Sequence, residues 1–261
     1  MNATLEAAEI IAAARRNRTP LDPLPGAVAP RTEAEGYLIQ EALHGLLVPD
    51  FGARVGYKIG CTSAVMQQYL NIPHPCSGGV FAKGVHASGV ALPARNFVRV
   101  GVECEIAVRL ARDLPAAAVP FTADAVGQAI ADYLPAIEIV DDRYGDWQTI
   151  GAPTLVADDF FAAGCVLGTP VARAAAPDLL DVIGRAIING SEVGQGTGAD
   201  VLGHPHRALA WLANRLAAGG KTLRAGEIVL TGSLVKTLWL NAGDRAVMEL
   251  AGLGSVAVAF V

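Results

Sequence analysis

The sequence predicts an α+β fold that is mainly β, with a smaller helical part at the amino terminus. Two textures along the chain and its composition predict it. Residues 1–75 carry helical periodicity and helix-start signals, whereas from about Gly78 the chain breaks into short Val/Ile-rich runs punctuated by Gly, Pro and Asn. Of 261 residues, 52% are hydrophobic and 17% charged, against roughly 25% charged in an average soluble domain. Mean hydropathy is +0.38. The apolar side chains must therefore be buried, and a chain of this length can bury them in one large domain or one with a small appendage.

The first helix is read from MNATLEAAEIIAAARRNR, where Glu6 and Glu9 interrupt the apolar positions at amphipathic spacing. A secretory signal would show a basic start and an unbroken apolar middle, so a cytoplasmic protein is expected. A connection through Pro20, Pro23, Pro25 and Pro30 follows. Thr32 with Glu35 then forms a capping box opening TEAEGYLIQEALHGLLV, and Pro49, Asp50 and Gly52 close that helix. VGYKIG is strand-like, and Thr62 or Ser63 can cap a short helix through Val65, Met66 and Tyr69.

Beyond Gly78, VECEIAVRL, PAIEIVD, GCVLG, RAIING, EIVLTG and GSVAVAFV read as strands. Two helices are expected among them. One runs from about Thr122 to Tyr133; the other runs from about Pro205 to Ala218, with Ala208, Leu209, Leu212 and Leu216 on one stripe and Gly219 and Gly220 as the stop. Asn189-Gly190 signals a hairpin. The boundary between the two parts is placed near residue 75, giving 1–75 and 76–261.

Charge and spacing exclude several functions. The net charge is −5, aromatics make up 6%, and no five like charges adjoin, so nucleic acid is not a partner and the substrate is a small molecule. Uncharged apolar runs such as Phe160 to Ala172 are short and broken by Gly or Pro, well below the ~18 to 20 residues of a membrane span. The four cysteines, 61, 76, 104 and 165, form no CxxC pair and are expected to be reduced thiols. Gly194, Gly196 and Gly198 do not make GxGxxG, which removes a dinucleotide loop.

The strongest chemical signal is Glu103-Cys104-Glu105 in a strand, because side chains two apart project from the same face. On the opposite face Val102, Cys104, Ile106 and Val108 form an apolar row. Two exposed acids on a solvated face would give the same pattern. Glu138 stands alone within Ala136, Ile137, Ile139 and Val140, where a carboxylate is costly unless paired or bound to a cation. Three carboxylates without clustered His or Cys suit a hard ion, Mg²⁺ or Mn²⁺. An ion pair of Glu138 with Arg143 is the alternative.

Lys58, between Tyr57 and Ile59, is a candidate proton carrier whose pKa can fall through desolvation; a snorkelling lysine paired with a surface acid is the other reading. Thr231-Gly232-Ser233 puts two hydroxyls and backbone N–H groups at a strand end, where a substrate carboxylate can be held, although a simple turn reads equally well. His204 and His206 are read as capping or packing residues, Asp141 and Asp142 as turn residues, and Asp158 and Asp159 as caps of a turn before Phe160.

These residues, with GYKIGCTS, VECEIAVRLARDLP, LPAIEIVDDRYGDW, LVADD, LGHPHRALAWLANRLAAGG, LRAGEIVLTGS and NAGDRAVMELAGLGSVAVAF in that order, resemble the 2-keto-4-pentenoate hydratase and 4-oxalocrotonate decarboxylase group of the fumarylacetoacetate hydrolase superfamily. The resemblance spans nearly the whole chain. It implies a mixed β-roll catalytic domain with a smaller helical amino-terminal part. It also implies a divalent metal on Glu103, Glu105 and Glu138, an active-site Lys58, and Thr231 to Ser233 beside the substrate. The implied substrate is a short 2-hydroxy-2,4-dienoate or its 2-oxo tautomer, chelating Mg²⁺ or Mn²⁺ through its carboxylate and C2 oxygen, as in meta-cleavage degradation of aromatics.

Hydration to a 4-hydroxy-2-oxo acid is the first expectation. Decarboxylation of a 4-oxalocrotonate-type substrate, acylpyruvate-type C–C hydrolysis and a non-catalytic scaffold subunit stand as alternatives. Between Asp50 and Glu103 the chain has no Asp or Glu, where many hydratases of the group carry an acid. Lys236, in the bulky stretch after Ser233, is a candidate for a second substrate carboxylate. A homo-oligomer is expected, as is the possibility of a complex with a related decarboxylase or hydratase.

Overall fold

The computed structural model describes residues 2–261. Its helices are α1 (Ala3–Asn17), α2 (Glu33–Phe51), α3 (Ala64–Leu70), α4 (Ala123–Gly127), α5 (Ala152–Ala157) and α6 (Pro205–Ala218). Its strands are β1 (Arg54–Gly60), β2 (Cys76–Phe81), β3 (Val85–Ala87), β4 (Val90–Leu92), β5 (Val100–Leu110), β6 (Ile130–Asp141), β7 (Ala162–Leu167), β8 (Val171–Ala172), β9 (Ile183–Ile188), β10 (Ser191–Thr197), β11 (Ile228–Ser233), β12 (Leu238–Trp239), β13 (Arg245–Leu250) and β14 (Gly254–Phe260).

The helical layer starts as its capping chemistry dictates. Asn2 accepts the Thr4 N–H at the head of α1, and Thr32 with Glu35 closes a reciprocal box on α2. α2 runs through Pro49 to Phe51 and stops at Gly52, whose φ of 80° few other residues adopt. Ala7, Ala8, Ile11 and Ala12 of α1 meet Ile39, Leu43 and Leu47 of α2 in a core shared with α5, Tyr144 and Phe160. The layer thus recruits residues from far along the chain, while β1 lies inside the sheet.

Nine strands form the larger sheet, with the path β2-β1-β11-β5-β6-β7-β3 and with β12 and β8 pairing on β5 and β6; five form a second, β10-β9-β13-β14-β4. The row Val102, Cys104, Ile106 and Val108 is fully buried between the sheets, against Ala246, Met248, Val256 and Val258. On the other face of the large sheet, Val80 of β2 and Cys165 of β7 share one small cluster with Ala107, Leu134 and Leu230. Strands five places apart along the sheet meet there, so it curls back on itself. The carboxylates sit on that enclosed face.

The helix expected over Thr122 to Tyr133 is corrected. Thr122 caps α4, but the helix ends at Gly127 and β6 begins at Ile130. The stretch IADYLPAIEIVD pairs along nearly its whole length with β5, and that ladder with its apolar burial outweighs the local helical pattern. The hairpin at Asn189-Gly190 forms, both residues having positive φ, and α6 spans the expected residues.

Candidate active site

β5 and β6 run antiparallel with Glu103 directly opposite Glu138; Glu105 follows two residues on, on the same face. Like charges facing each other across a sheet destabilise it, so this register needs a compensating cation. One carboxylate oxygen from each of the three lies within 4.8 Å of the others. Glu105 and Glu138 are 0% and 1% exposed, whereas Glu103 is partly exposed.

Their hydrogen bonding is incomplete. Glu105 Oε2 accepts the Gly232 N–H at 2.9 Å and Glu103 Oε1 accepts the Thr237 hydroxyl. Glu105 Oε1 and Glu138 Oε2 are buried without a hydrogen-bond donor, and Glu138 Oε1 has only the Lys58 ammonium beside it. Gly232 is required where it sits, with φ 123° and a Cβ that would stand 2.4 Å from Thr62 Oγ1. Without a cation, burial followed by the Glu138 and Glu103 charges raises the Glu105 carboxyl well above its usual range. Burial and Glu103 lift Glu138 to about 7 against the pull of Lys58. Buried, converging oxygens that lack donors and repel one another fit an oxygen-seeking divalent ion.

Lys58 reaches the cluster from β1, 3% exposed, with Nζ 3.1 Å from Glu138 Oε1 and donating to the Phe160 carbonyl at 2.9 Å. Burial lowers its pKa, but Glu138 and then Glu103 more than offset this and raise it to about 12. The expected fall is therefore reversed. Nor does Glu138 pair with Arg143, which is occupied by Asp158 and Asp141.

The carbonyl that holds Lys58 belongs to a segment absent from the sequence-based site. Asp159, Phe160 and Phe161 have φ of 53°, 48° and 67°. Three successive side-chain-bearing residues in the left-handed region store strain that the surroundings must hold. Asp159 Oδ1 lies 2.7 Å from His44 Nε2 and accepts the Gly79 N–H at 2.9 Å; Arg15 Nη2 stands 3.1 Å from Oδ2. Burial opposes ionisation of Asp159, yet His44 and Arg15 bring it to about 2. Asp158 receives Arg15 Nε at 2.7 Å and Arg143 Nη2 at 2.8 Å. Asp158 and Asp159 are thus fully buried clamps, correcting their reading as turn caps.

The other expected residues have their own partners. Thr231 is 0% exposed and donates to the Ile106 carbonyl at 2.7 Å, tying β11 to β5 beside the Gly232 N–H that Glu105 accepts. Ser233 donates to the Val235 carbonyl at 2.6 Å within its turn. Lys236 is exposed between β11 and β12 and makes no hydrogen bond or ion pair among the described residues. Asp141 accepts the N–H groups of Val98 and Arg99, and Asp142 that of Tyr144. His204 caps α6, and His206 lies 2.8 Å from the Tyr133 hydroxyl. All four cysteines are free.

A cavity of about 440 Å³ lies between the helical layer and the curled sheet, with Lys58 and Glu138 in its lining and Leu47, Phe51, Val80 and Phe81 among its walls. Among the described residues no helix is long and apolar enough to cross a membrane.

A curled sheet with this buried trio places the chain in a known class: residues 71–261 match the fumarylacetoacetate hydrolase C-terminal family, and the chain belongs to it. Within that family it is 36% identical to 2-keto-4-pentenoate hydratase of Paraburkholderia phymatum, covering 95% of this chain and 93% of that one. It is also 36% identical to 2-hydroxyhexa-2,4-dienoate hydratase of Comamonas testosteroni, over 79% and 78% of the two chains. The fold superimposes on 4-oxalocrotonate decarboxylase from Pseudomonas putida G7, solved with magnesium and adipate, with a TM-score of 0.93 and 26% identity over 99% of this chain and 97% of that one.

Proposed function

We propose that this protein is a divalent-metal-dependent hydratase of 2-hydroxy-2,4-dienoates. The observation that carries the reading is the buried convergence of Glu103, Glu105 and Glu138 beside Lys58. Its relatives' names supply the substrate class: 2-keto-4-pentenoate and 2-hydroxyhexa-2,4-dienoate hydratases. In this reading the three carboxylates hold Mg²⁺ or Mn²⁺, which when bound supplies a Lewis acid for the carboxylate and C2 oxygen of a 2-oxo acid.

Lys58 does the proton work. Held as an ammonium by its carboxylate neighbours, it donates a proton to C5 of 2-hydroxypenta-2,4-dienoate as the C2 hydroxyl loses one, giving the conjugated 2-oxo-3-enoate. The resulting amine then takes a proton from water as the water oxygen adds at C4. The proton released from the C2 hydroxyl balances the one gained at C3, and the product is 4-hydroxy-2-oxopentanoate. The Phe160 carbonyl keeps Nζ aimed during these steps. This scheme needs no acid between Asp50 and Glu103, since one lysine serves as donor and then base.

The likeness to a 4-oxalocrotonate decarboxylase supports decarboxylation as a second reading. Purified Mg²⁺-loaded protein assayed with 2-hydroxypenta-2,4-dienoate and 4-oxalocrotonate, following ultraviolet absorbance and CO₂ separately, distinguishes them. Loss of dienoate without CO₂ is expected. Release of CO₂ would favour the decarboxylase, and absence of both turnover and divalent-ion binding would leave only a scaffold role. Glu105→Gln should weaken Mg²⁺ binding by more than about tenfold in calorimetry; unchanged affinity would move the metal elsewhere. The low charge fraction supports a homo-oligomer, for which sedimentation is the check.

A further inference from the structure

The cavity beside Lys58 has a charge distribution that hydration of a simple dienoate does not use. Its deep lining holds Lys58 and Glu138, 3% and 1% exposed. Its exposed lining holds Arg16 and Arg18, from the end of α1, and Lys83, from the turn after β2. The apolar walls Leu47, Phe51, Val80 and Phe81 belong to the same cavity. It therefore has an ionisable inner part, an apolar lining and a cationic mouth.

The three mouth cations are not equivalent. Arg16 is neutralised, with Nε 2.6 Å from Asp50 Oδ2, and it also donates to the Leu46 carbonyl. Lys83 Nζ donates to the Asp50 carbonyl at 2.8 Å and has no carboxylate partner among the described residues. Arg18 makes no side-chain hydrogen bond or ion pair among them; it lies beyond the helix proper, in the left-handed cap position with φ 56°. Arg15 and Arg143, which also line the cavity, are engaged by Asp158. Two cations without a carboxylate partner thus line one cavity, where a methyl or vinyl end of a substrate would gain nothing from them and a carboxylate would gain charge-assisted hydrogen bonds.

We propose that Arg18 and Lys83 form a subsite for a second carboxylate, so that the preferred substrate is a dianionic 2-hydroxy-2,4-dienoate carrying a carboxylate at the end remote from C1. The inference rests on the hydratase reading for the placement of C1, and it narrows the substrate class. It also replaces Lys236, which does not line this cavity. Two positive charges at the mouth would draw dianions in as well as hold them, an effect that salt weakens.

The test uses two unreactive probes of equal chain length, 2-oxoadipate and 2-oxohexanoate, titrated by calorimetry into the full-length Mg²⁺-loaded protein. The wild type should bind 2-oxoadipate about tenfold more tightly, a margin that shrinks as salt rises. In the double variant Arg18→Gln, Lys83→Gln the two affinities should become equal, while that for 2-oxohexanoate stays unchanged. Both side chains are exposed, so the fold does not depend on them. Equal affinities in the wild type, or a preference that survives in the double variant, would overturn the subsite. Turnover of 2-hydroxypenta-2,4-dienoate and of the dianionic 2-hydroxyhepta-2,4-diene-1,7-dioate, both measured on the same preparation, separates the two ideas. Turnover without the preference removes the subsite alone; a preference that Arg18 and Lys83 carry, without turnover, removes the hydratase reading alone.

Discussion

At Lys58 two opposing effects meet. Burial disfavours its charge, but Glu138 at 3.1 Å and the nearby Glu103 favour it more, and its pKa stands at about 12. Without a metal the group is therefore held as an ammonium at neutral pH, able to act as a base only after it has given a proton away. Lys58→Ala should lower kcat by about 10² to 10⁴ while Mg²⁺ binding persists, measured by steady-state kinetics beside calorimetry. An unchanged kcat would assign the proton transfer to another group. Glu103 and Glu105 could be read as a same-face pair from their spacing, and Glu138 from its isolation among Ile and Val. What spacing could not reveal was that Lys58 would meet Glu138, because that contact depends on how β1, β11, β5 and β6 are ordered across the sheet.

At the scale of elements, the end of α1 is joined to the loop before β7. Arg15 and Arg143 converge on Asp158, which is 0% exposed. Removing the shared carboxylate leaves two largely buried guanidiniums without it, so Asp158→Ala should destabilise the protein by about 3–5 kcal/mol in thermal or denaturant unfolding. A variant as stable as the wild type would mean that the pair of arginines does not brace the 159–161 segment. This link spans 143 positions, beyond any local pattern. The caps of α2 and α6, by contrast, involve neighbours two or three residues apart and were legible. The stretch 122–133 was misread because its helical spacing is local, whereas the ladder with β5 that wins is not.

For the molecule as a whole, the trio makes stability depend on pH when no cation is present. Glu138 rises to about 7 in the folded chain from an ordinary 4.5, and burial raises Glu105 well above its ordinary range too. Between those two values the folded state keeps protons that the unfolded chain has released, so this contribution is complete below pH 4.5 and is lost as pH rises through about 7. The metal-free protein should therefore have a lower Tm at pH 8 than at pH 5.5, and added Mg²⁺ should restore more Tm at pH 8. A Tm that climbs across that range without metal would contradict the coupling. The mainly β fold and the helical layer were visible in composition and periodicity. The curl of the large sheet, which converts three separate acids into one enclosed cluster, was not.

The register that sets Glu103 against Glu138 has a consequence for anyone wishing to harden this enzyme. The same oxygens that attract a cation are a standing liability to the empty protein. Neutral replacements such as Glu105→Gln would yield a sturdier but inert scaffold, since robustness and turnover pull on one carboxyl in opposite directions. Gains in durability that spare catalysis have to be sought on the outer faces of the helical layer, remote from β5 and β6.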